Sequence, residues 1–201
     1  MIIGSHNSWS YLPVYTWWKK PFSFMAKCQN VNIREQFEKY NVRCFDLRLR
    51  RGPNNIPVIS HNYVTYEYSY GQLLDDLDWL DQRRDPLLSI RVIYDIRKYS
   101  ESTGENQRWF SLTCQNLSRL YPRLNFWSGR ELVTWRTIYD FGTDEPDTID
   151  KYSSIDYSNV FERVCPFLYS KKNNKNILKE YSNQIDNDKS KVLFLDFVDL
   201  K

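Results

Sequence analysis

Short runs with a two-residue period alternate along this chain with longer runs of helical period. Residues 42–50 are the clearest of the first kind. Cys44, Asp46 and Arg48 fall on one face there, and Phe45, Leu47 and Leu49 on the other. That is the pattern of a strand whose apolar face packs under helices while its polar face looks elsewhere. Residues 87–94 read as a second such strand with Ser89 and Arg91 on one side, and residues 192–198 as a last one with Val192, Phe194 and Asp196 together. Two shorter apolar runs, Met1-Ile2-Ile3 and Ile56-Pro57-Val58-Ile59, lead into Gly4-Ser5-His6-Asn7-Ser8 and Ser60-His61. Between the strands, Leu73, Leu74, Leu77 and Leu80 recur at helical spacing and stop at Asp85-Pro86, since a residue before proline is pushed out of the helical region. Residues 107–121 predict a helix with Phe110, Cys114, Leu117 and Tyr121 on one stripe, closed by Pro122. Residues 171–185 predict another, carrying Ile177, Leu178, Tyr181 and Ile185. Residues 125–150 are aromatic and charged without a clean period. Alternating strands and helices predict an α/β fold. No repeat or low-complexity linker interrupts it, so residues 1–201 are expected to be one domain.

Composition narrows the picture by exclusion. A chain of 201 residues has enough apolar content for a substantial core. The net charge of +3 tolerates an anionic surface without pointing to nucleic acid, and no nucleic-acid-binding module is recognisable. Cys28, Cys44, Cys114 and Cys165 form neither a Cys-x-x-Cys pair nor a disulfide scaffold, which predicts reduced, buried thiols. No stretch approaches the 18 or so apolar residues of a membrane span. The first strand begins at Met1 and leaves no room for a signal peptide, so a cytoplasmic location is expected; a monomer is expected as well.

Chemistry enters with the histidines. The chain has two, His6 and His61, each closing a short apolar run, with the Asp46-Leu47-Arg48 strand between them. Imidazole can be neutral or protonated near neutral pH, so one can serve as base and the other as acid. An arginine beside them would stabilise charge building on a phosphoryl group. The set fits phosphodiester cleavage.

In order, Gly4-Ser5-His6-Asn7-Ser8, Phe45-Asp46-Leu47-Arg48-Leu49-Arg50 and Ile59-Ser60-His61 resemble the phosphatidylinositol-specific phospholipase C family, bacterial type. Residues 29–37 look like that family's first helix, residues 86–91 like its fourth strand and residues 192–197 like its closing strand. The resemblance implies a TIM (β/α)8 barrel of the phospholipase C-like phosphodiesterase type. Such barrels typically take about 250 residues, so a compact, distorted or incomplete one is expected here. It also implies roles: His6 as the base that deprotonates the inositol 2-hydroxyl, His61 as the acid that protonates the departing diacylglycerol oxygen, and Arg48 as the binder of phosphoryl oxygens. Asp196 is similar to the closing-strand carboxylate that orients the base. The product would be a cyclic inositol phosphate.

Residue types bear on the metal. The family's calcium-dependent branch has Asn after the first His and three acidic positions downstream. Asn7 and Asp46 are retained here, but Arg48 and Arg91 occupy the other two positions. Two guanidinium groups repel a divalent cation and supply its charge, so no metal or other cofactor is expected. Bacterial enzymes carry Asp where Asn7 stands, an acid that assists the leaving-group His; Asp46 is a candidate to take that task. Asn7 and Arg91 are placed as substrate contacts. The resemblance assigns no headgroup residues beyond residue 100, and Arg136, Tyr139 and Asp140 are left without roles.

Trp17, Trp18, Lys19 and Lys20 follow the first catalytic loop. Indole and ammonium groups suit the headgroup level of a bilayer, which predicts peripheral membrane contact and an inositol phospholipid substrate; the competing reading places these aromatics in the barrel's own core. Two other functions stay open: a phosphodiesterase on a soluble diester, glycerophosphodiester or nucleotide-like, and a catalytically weak protein that binds phosphate or a lipid headgroup.

Overall fold

The computed structural model describes residues 1–15, 17–61, 64–95, 103–128, 146–153, 155–185 and 187–200. In chain order the strands are β1 (Ile2–Ser5), β2 (Val42–Arg51), β3 (Pro57–His61), β4 (Val64–Thr65), β5 (Ser89–Tyr94), β6 (Asn125–Ser128), β7 (Asp147–Lys151) and β8 (Lys191–Leu195). The helices are α1 (Ile33–Tyr40), α2 (Tyr70–Asp81), α3 (Gly104–Leu120), α4 (Val160–Val164) and α5 (Pro166–Glu180). Parallel pairing runs β7–β8–β1–β2–β5–β6. With α1, α2, α3 and the α4–α5 pair set between strands, this is an α/β wall that curls into an incomplete barrel. Among the described residues it has six parallel strands, so the expectation of an incomplete (β/α)8 barrel holds.

The alternation in the sequence decides the two faces of the wall. Phe45, Leu47 and Leu49 join the large apolar cluster, with Leu73, Leu77 and Leu80 of α2 and Phe110, Cys114 and Leu117 of α3. The opposite face carries a smaller cluster of Cys44, Trp127, Tyr152, Val192 and Phe194, and the polar side chains Asp46, Arg48 and Arg91, all buried. Placing charge on that face is costly unless it is paired, and every such group described below has a partner.

The predicted element ends shift for local reasons. The third helix starts at Gly104 rather than 107 because the Thr103 side chain accepts from Asn106 N and caps it. The last helix starts at Pro166, where proline fits the first helical turn, and ends at Glu180, short of the expected 185. The closing strand stops at Leu195, so Asp196 lies just past its end, and Phe197 takes a left-handed φ of 46°. Residues 125–150 supply β6 and β7 at their two ends; Arg136, Tyr139 and Asp140 lie outside the described residues.

The placement of His61 bears on the site. His61 does not end a strand of the parallel wall. β3 pairs antiparallel with the last residues of β2, Leu49↔Ile59 to Arg51↔Pro57, and β4 pairs back onto β3. The turn between β2 and β3 places Asn54 and Asn55 at φ of 55° and 63°, a region asparagine tolerates better than most residues. The ribbon rises from the end of β2 and carries His61 over the barrel's C-terminal mouth.

Gly4 lies where β1 faces β8. A Cβ there would stand 2.7 Å from the side chains of both Phe194 and Val192. Those neighbours are fully buried and cannot swing away. Gly4→Ala is therefore expected to cost about 1–3 kcal/mol, read as a lowered midpoint in urea unfolding with an unchanged slope.

Candidate active site

The loop after β1 is fastened to β2. Asn7 turns the chain with φ 46°, and its N–H donates to Asp46 Oδ2 at 2.9 Å. Ser8 N donates to Asp46 O at 3.0 Å, and Asp46 N to Ser8 Oγ at 2.8 Å. Gln29 Nε2 donates to the carbonyls of His6 and Leu195, at 3.0 and 3.1 Å, tying the ends of β1 and β8 together. His6 is thus held between two strand ends before its side chain makes any contact.

Its imidazole is 1 % exposed. Nδ1 lies 2.6 Å from Asp196 Oδ1, and Nε2 lies 2.7 Å from Arg48 Nη2. A guanidinium only donates, so Nε2 must be the acceptor and Nδ1 carries the hydrogen that Asp196 receives. This is the neutral Nδ1–H tautomer, with the Nε2 lone pair turned toward an arginine. Ser153 N donates to Asp196 Oδ2 at 2.9 Å, and the Tyr152 ring stacks on the imidazole at 3.7 Å between centroids, 4° from parallel. Burial pushes His6 below its ordinary value of 6.5; Asp196 opposes that and Arg48 adds to it.

Arg48 reaches from His6 to Asp46, donating to Asp46 Oδ2 through Nε at 3.1 Å and Nη2 at 3.0 Å. Arg91 Nε donates to Asp46 Oδ1 at 3.2 Å. Burial alone would raise the Asp46 carboxyl, but Arg48 and Arg91 together hold it well below the usual carboxylate range. Both of its oxygens are spoken for. Asp46 is thereby committed to Asn7, Arg48 and Arg91. Arg91 pairs across β2–β5 with Asp46, one layer below Arg48. It lies 3.6 Å over the Phe194 ring and reaches Asp150 at 3.4 Å. It is 1 % exposed, as buried as His6, and supports Asp46 from beneath.

His61 faces His6 edge-on, with centroids 6.1 Å apart and an interplanar angle of 86°. Its Nδ1 lies 3.1 Å from the Ala26 carbonyl. The same oxygen receives Tyr66 Oη–H at 3.0 Å and Asn7 Nδ2 at 3.3 Å. So the Asn7 amide helps fix the backbone oxygen that orients His61. A carbonyl stands where an acidic side chain was expected to act.

Of the predicted residues, His6, Asn7, Asp46, Arg48, His61, Arg91 and Asp196 converge on one site. Trp17, Trp18, Lys19 and Lys20 lie apart on a 3-10 segment, Trp17–Met25. Trp17 is 79 % and Trp18 58 % exposed, which removes the reading that they fill the barrel's core. Tyr152, Ala26 and Cys28 border this set without having been singled out for it. The run up to residue 150 has no clean period and gave no pointer to Tyr152, and a backbone oxygen leaves no signal in sequence.

No protein-family model matches the chain, and no curated protein matches it. Solved structures do. Phosphatidylinositol-specific phospholipase C from Listeria monocytogenes superposes with a TM-score of 0.64 at 14 % identity, over 98 % of this chain and 87 % of that one. A mutant of the corresponding Staphylococcus aureus enzyme gives 0.63 at 18 %, over 98 % and 84 %. At such identities the likeness shows the fold: this chain has the barrel type of those phospholipases.

Proposed function

We propose that this chain is a metal-independent phosphodiesterase of the phosphatidylinositol-specific phospholipase C type. One observation carries the reading: a buried His6–Asp196 pair presents a basic Nε2 beside Arg48, with a second imidazole 6.1 Å away. In the reaction His6 Nε2 takes the proton of the inositol 2-hydroxyl, and that oxygen attacks phosphorus. The imidazolium so formed is stabilised by Asp196. Arg48 turns from Nε2 to the phosphoryl oxygens, where it meets the charge that develops. His61 gives a proton to the diacylglycerol oxygen as the P–O bond breaks, leaving a cyclic inositol phosphate. Arg48 and Arg91 supply the positive charge, and Asp46 keeps both in place.

Turnover of phosphatidylinositol and of a chromogenic inositol phosphodiester, with and without chelator, tests this. Both substrates should be cleaved, and chelator should leave the rates unchanged. A tenfold loss with chelator, restored by calcium or magnesium, overturns metal independence. Cleavage of soluble diesters alone makes this a soluble-diester enzyme; binding without turnover makes it a phosphate- or headgroup-binding protein.

The lipid part of the proposal is supported by exposed apolar side chains on two neighbouring elements. Trp17, Trp18, Phe24 and Met25 stand out from the 3-10 segment, and Val160 and Phe161 from α4. α5 follows α4 and packs beside the 3-10 segment. No described helix is long and apolar enough to cross a membrane, so contact would be peripheral. Replacing Trp17 and Trp18 together by Ala is expected to weaken sedimentation with anionic vesicles, because each indole removes apolar area from water on binding. Hydrolysis of the water-soluble substrate should survive. Wild-type protein that fails to bind vesicles would end the lipid reading.

A further inference from the structure

Cys28 is fully buried and lies beside Asp196. Asn7 Nδ2 approaches its sulfur at 3.9 Å, and the Ala26 carbonyl lies 3.7 Å from it. The proposed mechanism gives this thiol no task. Yet it completes a mixed nitrogen, oxygen and sulfur set. One donor atom from each of His6, Asp196 and Cys28 lies within 4.8 Å of the other two, and it is the one such cluster found among the described residues. We propose that His6 Nδ1, Asp196 Oδ1 and Cys28 Sγ form an inhibitory site for a thiophilic divalent cation of the zinc and cadmium class.

The geometry suits such an ion. Zinc binds thiolate at about 2.3 Å, and imidazole and carboxylate at about 2.0–2.2 Å, so ligand atoms around a tetrahedral centre stand roughly 3.3–3.8 Å apart. The three donors need only close slightly around sulfur and open the 2.6 Å His6–Asp196 contact by under about 1 Å. Donor softness selects the ion. A thiolate beside an imidazole favours zinc or cadmium over calcium or magnesium, which take oxygen sets. The arginines do not bar this position as they bar a cation at the phosphate. Arg48 is bonded to the Nε2 edge of His6, and the proposed ion sits at the Nδ1 edge. Ser153 N already holds the other Asp196 oxygen, as outer contacts of a metal ligand do.

Binding silences the base, and the protons balance. The ion takes the Nδ1 lone pair, and the single N–H of the neutral imidazole moves to Nε2. The Cys28 thiol loses its proton to solvent. Nε2 can then no longer accept a proton from substrate, and Arg48 loses its acceptor there while keeping Asp46. All three ligands are at most 1 % exposed, so entry needs local opening and onset should be slow.

Cadmium titration of the whole protein tests the site, read by the ultraviolet thiolate-to-cadmium charge-transfer band and, separately, by turnover. One equivalent should develop the band slowly, with turnover falling in step. Cys28→Ala should lose the band and raise the inhibitory concentration by about 100-fold or more, since losing even an outer contact of a ligand costs 10–100-fold. Cys28→Ser is the companion if Cys28→Ala does not fold. Protection of Cys28 from alkylation by cadmium in the wild type needs no variant at all. A Cys28→Ala protein that binds and is inhibited like wild type, or a wild type whose Cys28 is alkylated equally with and without cadmium, overturns the site. The inhibition arm rests on the phosphodiesterase reading, and the two failures differ. A Cys28-dependent band without any turnover sinks the enzyme and keeps the site, whereas turnover without the band sinks the site alone.

Discussion

His6→Ala is expected to lower turnover of an inositol phosphodiester by about 10²–10⁴-fold, and His61→Ala by a similar factor. The two act in one displacement, so the double variant should lose less than the product of the single losses. The structure adds a pH signature to His6. A base must be neutral to accept a proton, and burial pushes this imidazole below 6.5. The acid limb of kcat/KM should therefore lie below pH 6.5, with activity holding as pH falls through the ordinary histidine range. Asp196→Asn removes the acceptor that fixes the Nδ1–H tautomer, so it should reduce kcat in the plateau as well as moving that limb. An acid limb at or above 6.5 in the wild type, or near-normal turnover in His6→Ala, would remove His6 as the base.

The central part of this site was legible because it follows strand parity. Asp46 and Arg48 alternate with Phe45, Leu47 and Leu49, and the wall buries the apolar set outward and turns the charged set inward. The same parity placed Ser89 with Arg91 on β5. What parity cannot give is register between strands. That Arg91 pairs with Asp46, and so stands a layer below Arg48, is a property of the β2–β5 alignment. The position of His61 was hidden for a related reason. An apolar run ending in histidine looks the same in a parallel wall and in an antiparallel ribbon, and here the turn at Asn54-Asn55 decides. Contacts across long sequence separations left no trace: Cys28 lies beside Asp196 far along the chain, and Tyr152 stacks on His6. The carbonyl of Ala26 belongs to no side chain, so no residue-type argument reaches it. The aromatic-basic segment was readable as a surface element only as far as its composition, and its exposure settles that it is not core.

Arg48→Lys is the second change expected to have a large effect. The ammonium keeps one positive charge beside Asp46 but loses the planar fork that spans Asp46 Oδ2 and His6 Nε2. If Arg48 meets the charge on the phosphoryl oxygens, its replacement should lower kcat by about 10²–10³-fold, as loss of one oxyanion donor does, with a much smaller change in KM. Arg48 is also a fully buried partner of Asp46, and breaking such a pair destabilises by about 3–5 kcal/mol when it strands a charge. Arg48→Ala would confound the two effects, whereas the lysine variant keeps a cation and Arg91 still reaches Asp46. Urea unfolding measured beside the kinetics separates them. A folded Arg48→Lys protein that retains wild-type kcat would take Arg48 out of the chemistry and leave it as a structural partner of Asp46. Reduced stability with reduced kcat would not rescue that outcome, because the kinetic loss is read on the folded fraction alone.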